Sequence, residues 1–141
     1  MSIPVAALLA FAVWTIALLT LTIGIVRWGL IFTGKAELKS FPGDEPHGSP
    51  FYRRATRAHA NCIENLPVFG AIVFLLTAIG LEGPMVNALC IATLAARIVQ
   101  SCVHISHEQT NAFVAVRFSF YSVQLGSFLV LIVLAAKQAM A

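Results

Sequence analysis

The chain has 141 residues, of which 59% are hydrophobic and only 11% charged, and its mean hydropathy is +0.87. A soluble domain carries about 25% charged residues, so this balance excludes an ordinary water-soluble fold and points to a membrane-embedded one. The net charge is only +3 and no nucleic-acid motif is present, so no nucleic-acid partner is expected; the basic residues cluster around the first loop, where a membrane surface is their natural neighbour.

Residues 3–26 carry no charge. At about 1.5 Å per residue they exceed the roughly 30 Å hydrocarbon core, which predicts a first transmembrane helix. A cleavable signal peptide would need a positive start and a shorter apolar core, whereas the first charge here, Arg27, follows the apolar run. Trp28 beside it suits an interfacial anchor, and the helix is expected over residues 3–32, stopping near Gly34. Residues 34–52 lose all periodicity through Gly34, Pro42, Gly43, Pro46, Gly48 and Pro50, and Lys35, Glu37, Lys39, Asp44 and Glu45 keep them solvated. Loops this long tend to be functional or mobile. A second helix is expected over 51–79, basic in its first turns and apolar from Leu66, with Pro67 removing one backbone hydrogen bond and bending it. Gly80 to Pro84 form a tight turn, and Pro84 opens a third helix over 84–105. A short turn leads to a fourth helix over 112–136, closed by Lys137. The expected fold is all-α, one integral-membrane domain over 1–141 built as a bundle of four transmembrane helices.

Polar residues in these spans are not scattered. In the second helix Arg57, Asn61 and Glu64 fall at i, i+4 and i+7, on one face at successive depths. In the third, Arg97, Ser101, His104 and then Glu108 share a face, with Gln100 beside them; in the fourth, Arg117 is followed on its face by Tyr121 and Gln124. Such groups are costly in lipid and must face protein, water or a ligand. With four spans both termini lie on one side, and Lys35, Lys39, Arg53, Arg54 and Arg57 lie on the other, which the positive-inside rule makes cytoplasmic. The polar ends of all four helices sit toward that side, predicting one polar pocket open to the cytoplasm and laterally to lipid. Structural roles compete for several of these residues. Arg117 can snorkel to the interface, Arg97 can form an intramembrane ion pair with Glu64, and Asn61 and Asn65 can join helices by hydrogen bonding. Cys62, Cys90 and Cys102, an odd set without close spacing, read as small buried hydrophobes rather than a disulfide framework. His59 and His104 raise the question of a bis-histidine haem, but neither has a His or Cys partner at ligand spacing, and no metal site is expected. No Ser-His-Asp pattern, phosphate-binding Gly loop or paired-carboxylate motif is present.

The run Arg57-Ala58-His59-Ala60-Asn61-Cys62-Ile63-Glu64-Asn65-Leu66-Pro67 resembles the second-helix signature of the MAPEG family, the membrane-associated proteins in eicosanoid and glutathione metabolism. That signature reads Arg-Ala-(His or Gln)-x-Asn-x-x-Glu, then a Pro two or three positions on. Ala96-Arg97 resembles the family's third helix, and Val116-Arg117 with Tyr121 is similar to the Arg and Tyr of its fourth. The resemblance implies a trimer of four-helix subunits with glutathione bound between neighbours near the cytoplasmic face. By that analogy Arg57, Asn61 and Glu64 hold the charged backbone groups of glutathione, Lys35 reaches one of its carboxylates, Arg97 and His104 complete the binding wall, and Arg117 with Tyr121 stands at the sulfur as the catalytic pair. The sequence departs from the prostaglandin-E-synthase branch at two positions: Ala60 replaces a second Arg and Gln100 replaces a His. These departures weaken a claim to that isomerase activity.

The implied activity is that of a membrane glutathione transferase or peroxidase whose thiolate attacks a lipophilic electrophile, with glutathione as co-substrate and membrane lipids as surroundings. The assignment to a bacterial inner membrane, with the first loop and the site facing the cytoplasm, assumes a bacterial host. Two other readings compete. A non-catalytic lipid- or glutathione-binding scaffold on the same fold would bind without thiol-dependent turnover. A small multidrug exporter would need an acidic residue deep in a helix, and Glu64, its sole candidate, lies near one end among arginines.

Overall fold

The computed structural model describes residues 1–43 and 45–140; the solvated position expected for Asp44 lies outside them. Four helical spans cross the length of a bilayer: Ile3–Phe32, Pro50–Ala78, Pro84–Ser106 and Asn111–Ala139. Each is long and apolar enough to do so, and together they make an integral, multi-pass helical bundle.

The first span is interrupted. Helix α1 (Ile3–Leu18) passes into a wide π turn at Leu19–Gly24 and resumes as α2 (Ile25–Phe32). The Ile25 N–H donates to the Thr20 carbonyl five residues back, the wider π spacing. Thr15, Thr20 and Thr22 turn their hydroxyls onto the carbonyls of Phe11, Ile16 and Leu18, a habit that loosens and bends helices. The span stops at Gly34, whose φ of 66° suits a residue without a Cβ. There the Gly34 and Lys35 N–H groups close back on the Ile31 and Leu30 carbonyls at 3.0 and 2.9 Å.

Helix α3 (Pro50–Ala78) begins with Ser49 as its cap, the hydroxyl accepting from the Tyr52 N–H at 3.2 Å, and with Pro50 in the first helical position. It runs unbroken through Pro67. Helix α4 (Pro84–Ser106) follows a turn whose Gly80 and Gly83 both take positive φ. Helix α5 (Asn111–Ala139) is capped by Thr110, which accepts from the Phe113 N–H at 3.4 Å. Hydroxyls farther along the spans bond locally too: Thr77, Thr93, Ser119, Ser122 and Ser127 each donate to the carbonyl four residues back.

The bundle is held at mid-depth by aromatic packing. Phe69 of α3 stands between Phe11 of α1 and Phe128 of α5, with ring centroids 5.7 and 5.9 Å away. Leu76, Leu131, Val73 and Cys90 bury around them. Lipid is as apolar as these side chains, so close packing and dispersion, rather than expulsion of water, hold this layer. The expectation that all three cysteines are buried fails at one position: Cys62 and Cys90 are buried, whereas Cys102 is exposed on the outer side of α4.

Candidate functional site

At the loop-side end of the bundle a smaller apolar cluster of Ile23, Tyr52 and Ala55 persists, and the helices bond through polar groups as well. Arg27 of α2 donates from Nε to the Tyr52 hydroxyl at 2.5 Å, and Arg54 donates from Nε to the Ile105 carbonyl at 2.9 Å. Between α4 and α5 runs a chain of amides. Gln124, fully buried, donates to the Gln100 side-chain oxygen at 3.1 Å, and Gln100 donates to the Arg117 carbonyl at 3.1 Å. That chain fixes the height of Arg117 against α4.

A cavity of about 230 Å³ opens among these ends. Arg57 and Asn61 enter it from α3, Gln100 and His104 from α4, and Arg117 and Tyr121 from α5, with Gln109, Val114 and Phe118 completing the wall. A second cavity of about 460 Å³ shares Arg57, His104 and Gln109 with the first and adds Arg53, Arg54, Pro50 and Glu108 at its outer mouth. His104 is buried, Asn61 and Arg117 are half-buried, and Arg57 and Tyr121 are exposed. The set offers guanidinium groups on two sides, amides between them and a phenol, a donor-rich enclosure suited to carboxylates.

Five of the eight expected site residues therefore meet: Arg57, Asn61, His104, Arg117 and Tyr121. Three do not line this cavity. Lys35 is exposed beyond Gly34, where the chain has already turned away from the helix axis. Glu64 continues the face of Arg57 and Asn61 but is exposed on the outside of the bundle. Arg97 is 1% exposed and points into the bundle, its guanidinium 5.8 Å from the Phe11 ring and its Nε and one terminal nitrogen without a hydrogen-bond partner.

The Arg97–Glu64 ion pair raised as an alternative is absent: among the described residues the only carboxylate–cation pair is Glu37–Lys39, at 2.9 Å and exposed. Burial separates the two partners, Arg97 inside and Glu64 outside. Asn65 does not bridge helices either; its amide donates to the Asn61 carbonyl at 2.8 Å within its own helix.

Gln109, Val114 and Phe118 were not singled out in the sequence. The last two carried a usable signal, because 114, 117, 118 and 121 follow the i, i+3, i+4, i+7 spacing of a single helix face. Gln109 sits in the turn between helices, where periodicity gives no direction.

Four spans with a cation- and amide-lined cavity at one end define a class: helical membrane proteins whose polar site lies at the membrane's edge. The MAPEG family model matches residues 4–137, and the chain belongs to that family. The family is associated with glutathione and with transferase- and isomerase-type functions in membranes. No individual curated protein and no solved structure matches the chain.

Proposed function

We propose that the protein is a glutathione-dependent transferase or peroxidase that ionises the glutathione thiol and directs it at a lipophilic electrophile. The observation that carries this reading is the meeting of Arg57 and Asn61 with Arg117 and Tyr121 in one cavity, drawn from helices far apart in the chain. Glutathione carries two carboxylates, an ammonium and a thiol. Arg57 and Asn61 suit a carboxylate and its neighbouring amide, and Arg117, half-buried and held by Gln100, suits the sulfur. A free thiol has a pKa of about 8.5 and is mostly protonated at neutral pH. A guanidinium beside it favours the thiolate, and about 1.4 kcal/mol lowers the pKa by one unit. With an aryl halide, the sulfur forms a bond to the ring carbon, the carbon–halogen bond breaks, halide leaves, and the thiol proton passes to solvent.

The cavity of about 230 Å³ is smaller than the roughly 300–1,000 Å³ of most ligand sites, and Glu64 stands uncovered on a membrane-spanning helix. Both features support a site completed by a neighbouring copy, in a homotrimer, with Glu64 and Lys35 entering from across the interface. Lys35, Lys39, Arg53, Arg54 and Arg57 gather at the same end as the cavity, which supports a cytoplasmic orientation of the site.

The test is glutathione conjugation in detergent. Arg117→Ala is expected to lower turnover by about a hundredfold, the scale of losing one donor at a developing charge, with a modest change in glutathione affinity. Arg57→Ala is expected to weaken glutathione binding in calorimetry. Equal rates for wild type and Arg117→Ala would remove Arg117 from the thiolate. Glutathione binding with no turnover of any electrophile would make the protein a binding scaffold.

A further inference from the structure

The first span carries two apolar clefts that the glutathione cavity does not use. One, of about 460 Å³, runs beside the π turn between Ile23 and Ile31 and is walled on its far side by Leu38 and Phe41 of the loop. The other, of about 410 Å³, lies on the adjacent face against Ile25 and Phe32. They share a ridge of Thr20, Gly24 and Trp28. The π turn makes this ridge low. Gly24 has no side chain, and a Cβ there would come within 3.1 Å of the Leu19 carbonyl oxygen.

Arg27 stands where the larger cleft meets a third cavity, of about 220 Å³, that also holds Arg53, Arg57 and Glu45. Its guanidinium is pinned in place: Nε is bonded to Tyr52, and the Phe41 and Tyr52 rings lie 5.3 and 5.6 Å from its centre. No described carboxylate pairs with it. A fixed cation thus sits at the junction of two apolar clefts and a cavity whose described charged residues are three arginines and one glutamate.

We propose that this face binds an anionic diacyl phospholipid. The two acyl chains lie in the two clefts astride Thr20, Gly24 and Trp28, and the phosphate meets the terminal nitrogens of Arg27. Two clefts sharing one ridge match two chains, whereas a fatty acid fills one. Arg27, with no described carboxylate bonded to it, favours an anionic head group over a zwitterionic one. Trp28, 53% exposed and stacked on Phe32 at 5.3 Å, sits at the depth where head group and chains join.

The experiment uses the full-length protein with Trp14→Phe, which leaves Trp28 as the remaining tryptophan, reconstituted with chain-brominated lipids that quench indole fluorescence. Brominated phosphatidylglycerol is expected to quench Trp28 at about fivefold lower mole fraction than brominated phosphatidylcholine, the effect of about 1 kcal/mol from one basic side chain. Arg27→Gln is expected to abolish that preference and Arg27→Lys to keep most of it, which separates lost charge from misfolding. Thr20→Phe, filling the ridge, is expected to weaken both lipids together. Equal quenching by the two head groups in the Trp14→Phe protein, or a preference that survives Arg27→Gln, would overturn the proposal. Displacement of phosphatidylglycerol by equimolar oleate would also overturn it, in favour of a single-chain acid. Absence of quenching by either lipid would place another copy of the chain over this face instead.

Discussion

The same four helices are joined in two different ways at two depths. At mid-depth Phe11, Phe69 and Phe128 interlock with no hydrogen bond between helices among them. At the loop-side end Gln124, Gln100, Arg27 and Arg54 each donate across a helix boundary. Ring packing brings helices close but tolerates small slides, because dispersion varies gently with position. A directional bond from Gln100 to the Arg117 carbonyl does not. Position along the membrane normal is therefore set where the cavity lies, and closeness is set elsewhere.

Several substitutions would break or sharpen that contrast. Phe69→Ala removes the central ring and is expected to cost about 3–5 kcal/mol in a detergent-unfolding measurement, while the protein that remains folded binds glutathione as before. Gln124→Leu deprives the Gln100 oxygen of its donor. The expected cost is smaller, about 1 kcal/mol, but turnover falls more than glutathione affinity because Arg117 loses its fixed height. A Gln124→Leu protein with unchanged turnover would mean that the amide chain fixes nothing the chemistry needs. Ser49→Ala removes a cap outside both layers and sets the baseline, at about 1 kcal/mol with no change in affinity. The smallest effect is chemical: a maleimide in detergent should add one label, at Cys102, leaving Cys62 and Cys90 unmodified by mass spectrometry.

The spans were legible because hydropathy, Pro84 and the glycine stops all point the same way; each expected boundary lies within three residues of the observed one, although Pro50, read as part of the loop, is the first residue of α3. Within the site, spacing gave Arg57 with Asn61 and Arg117 with Tyr121, each one turn apart on its own helix. Glu64 continues the face of Arg57 and Asn61 yet does not line the cavity of the single chain. Periodicity fixes the direction in which a side chain leaves its helix, not what stands opposite at that height. Arg97 does not line that cavity either, because α4 presents one polar face to two environments, the cavity at His104 and the packed interior at Arg97. Lys35 lies outside the cavity of the single chain because, once Gly34 takes its left-handed conformation, the chain leaves the helix direction. The π turn was illegible because its residues are as apolar as their neighbours, and a hydropathy window does not sense one extra residue per turn.

The inward-bonded hydroxyls of the spans have a consequence for how this chain can drift over evolutionary time. Thr77, Thr93, Ser119, Ser122 and Ser127 hold no neighbour in place, since each is occupied by a carbonyl of its own helix. Exchange for alanine or valine at these positions leaves every inter-helix bond intact. Gln100 and Gln124 have no such latitude, because each is half of a joint whose other half sits on a different helix. Among descendants of this sequence, neutral substitutions should accumulate at the first group while the two glutamines change only together.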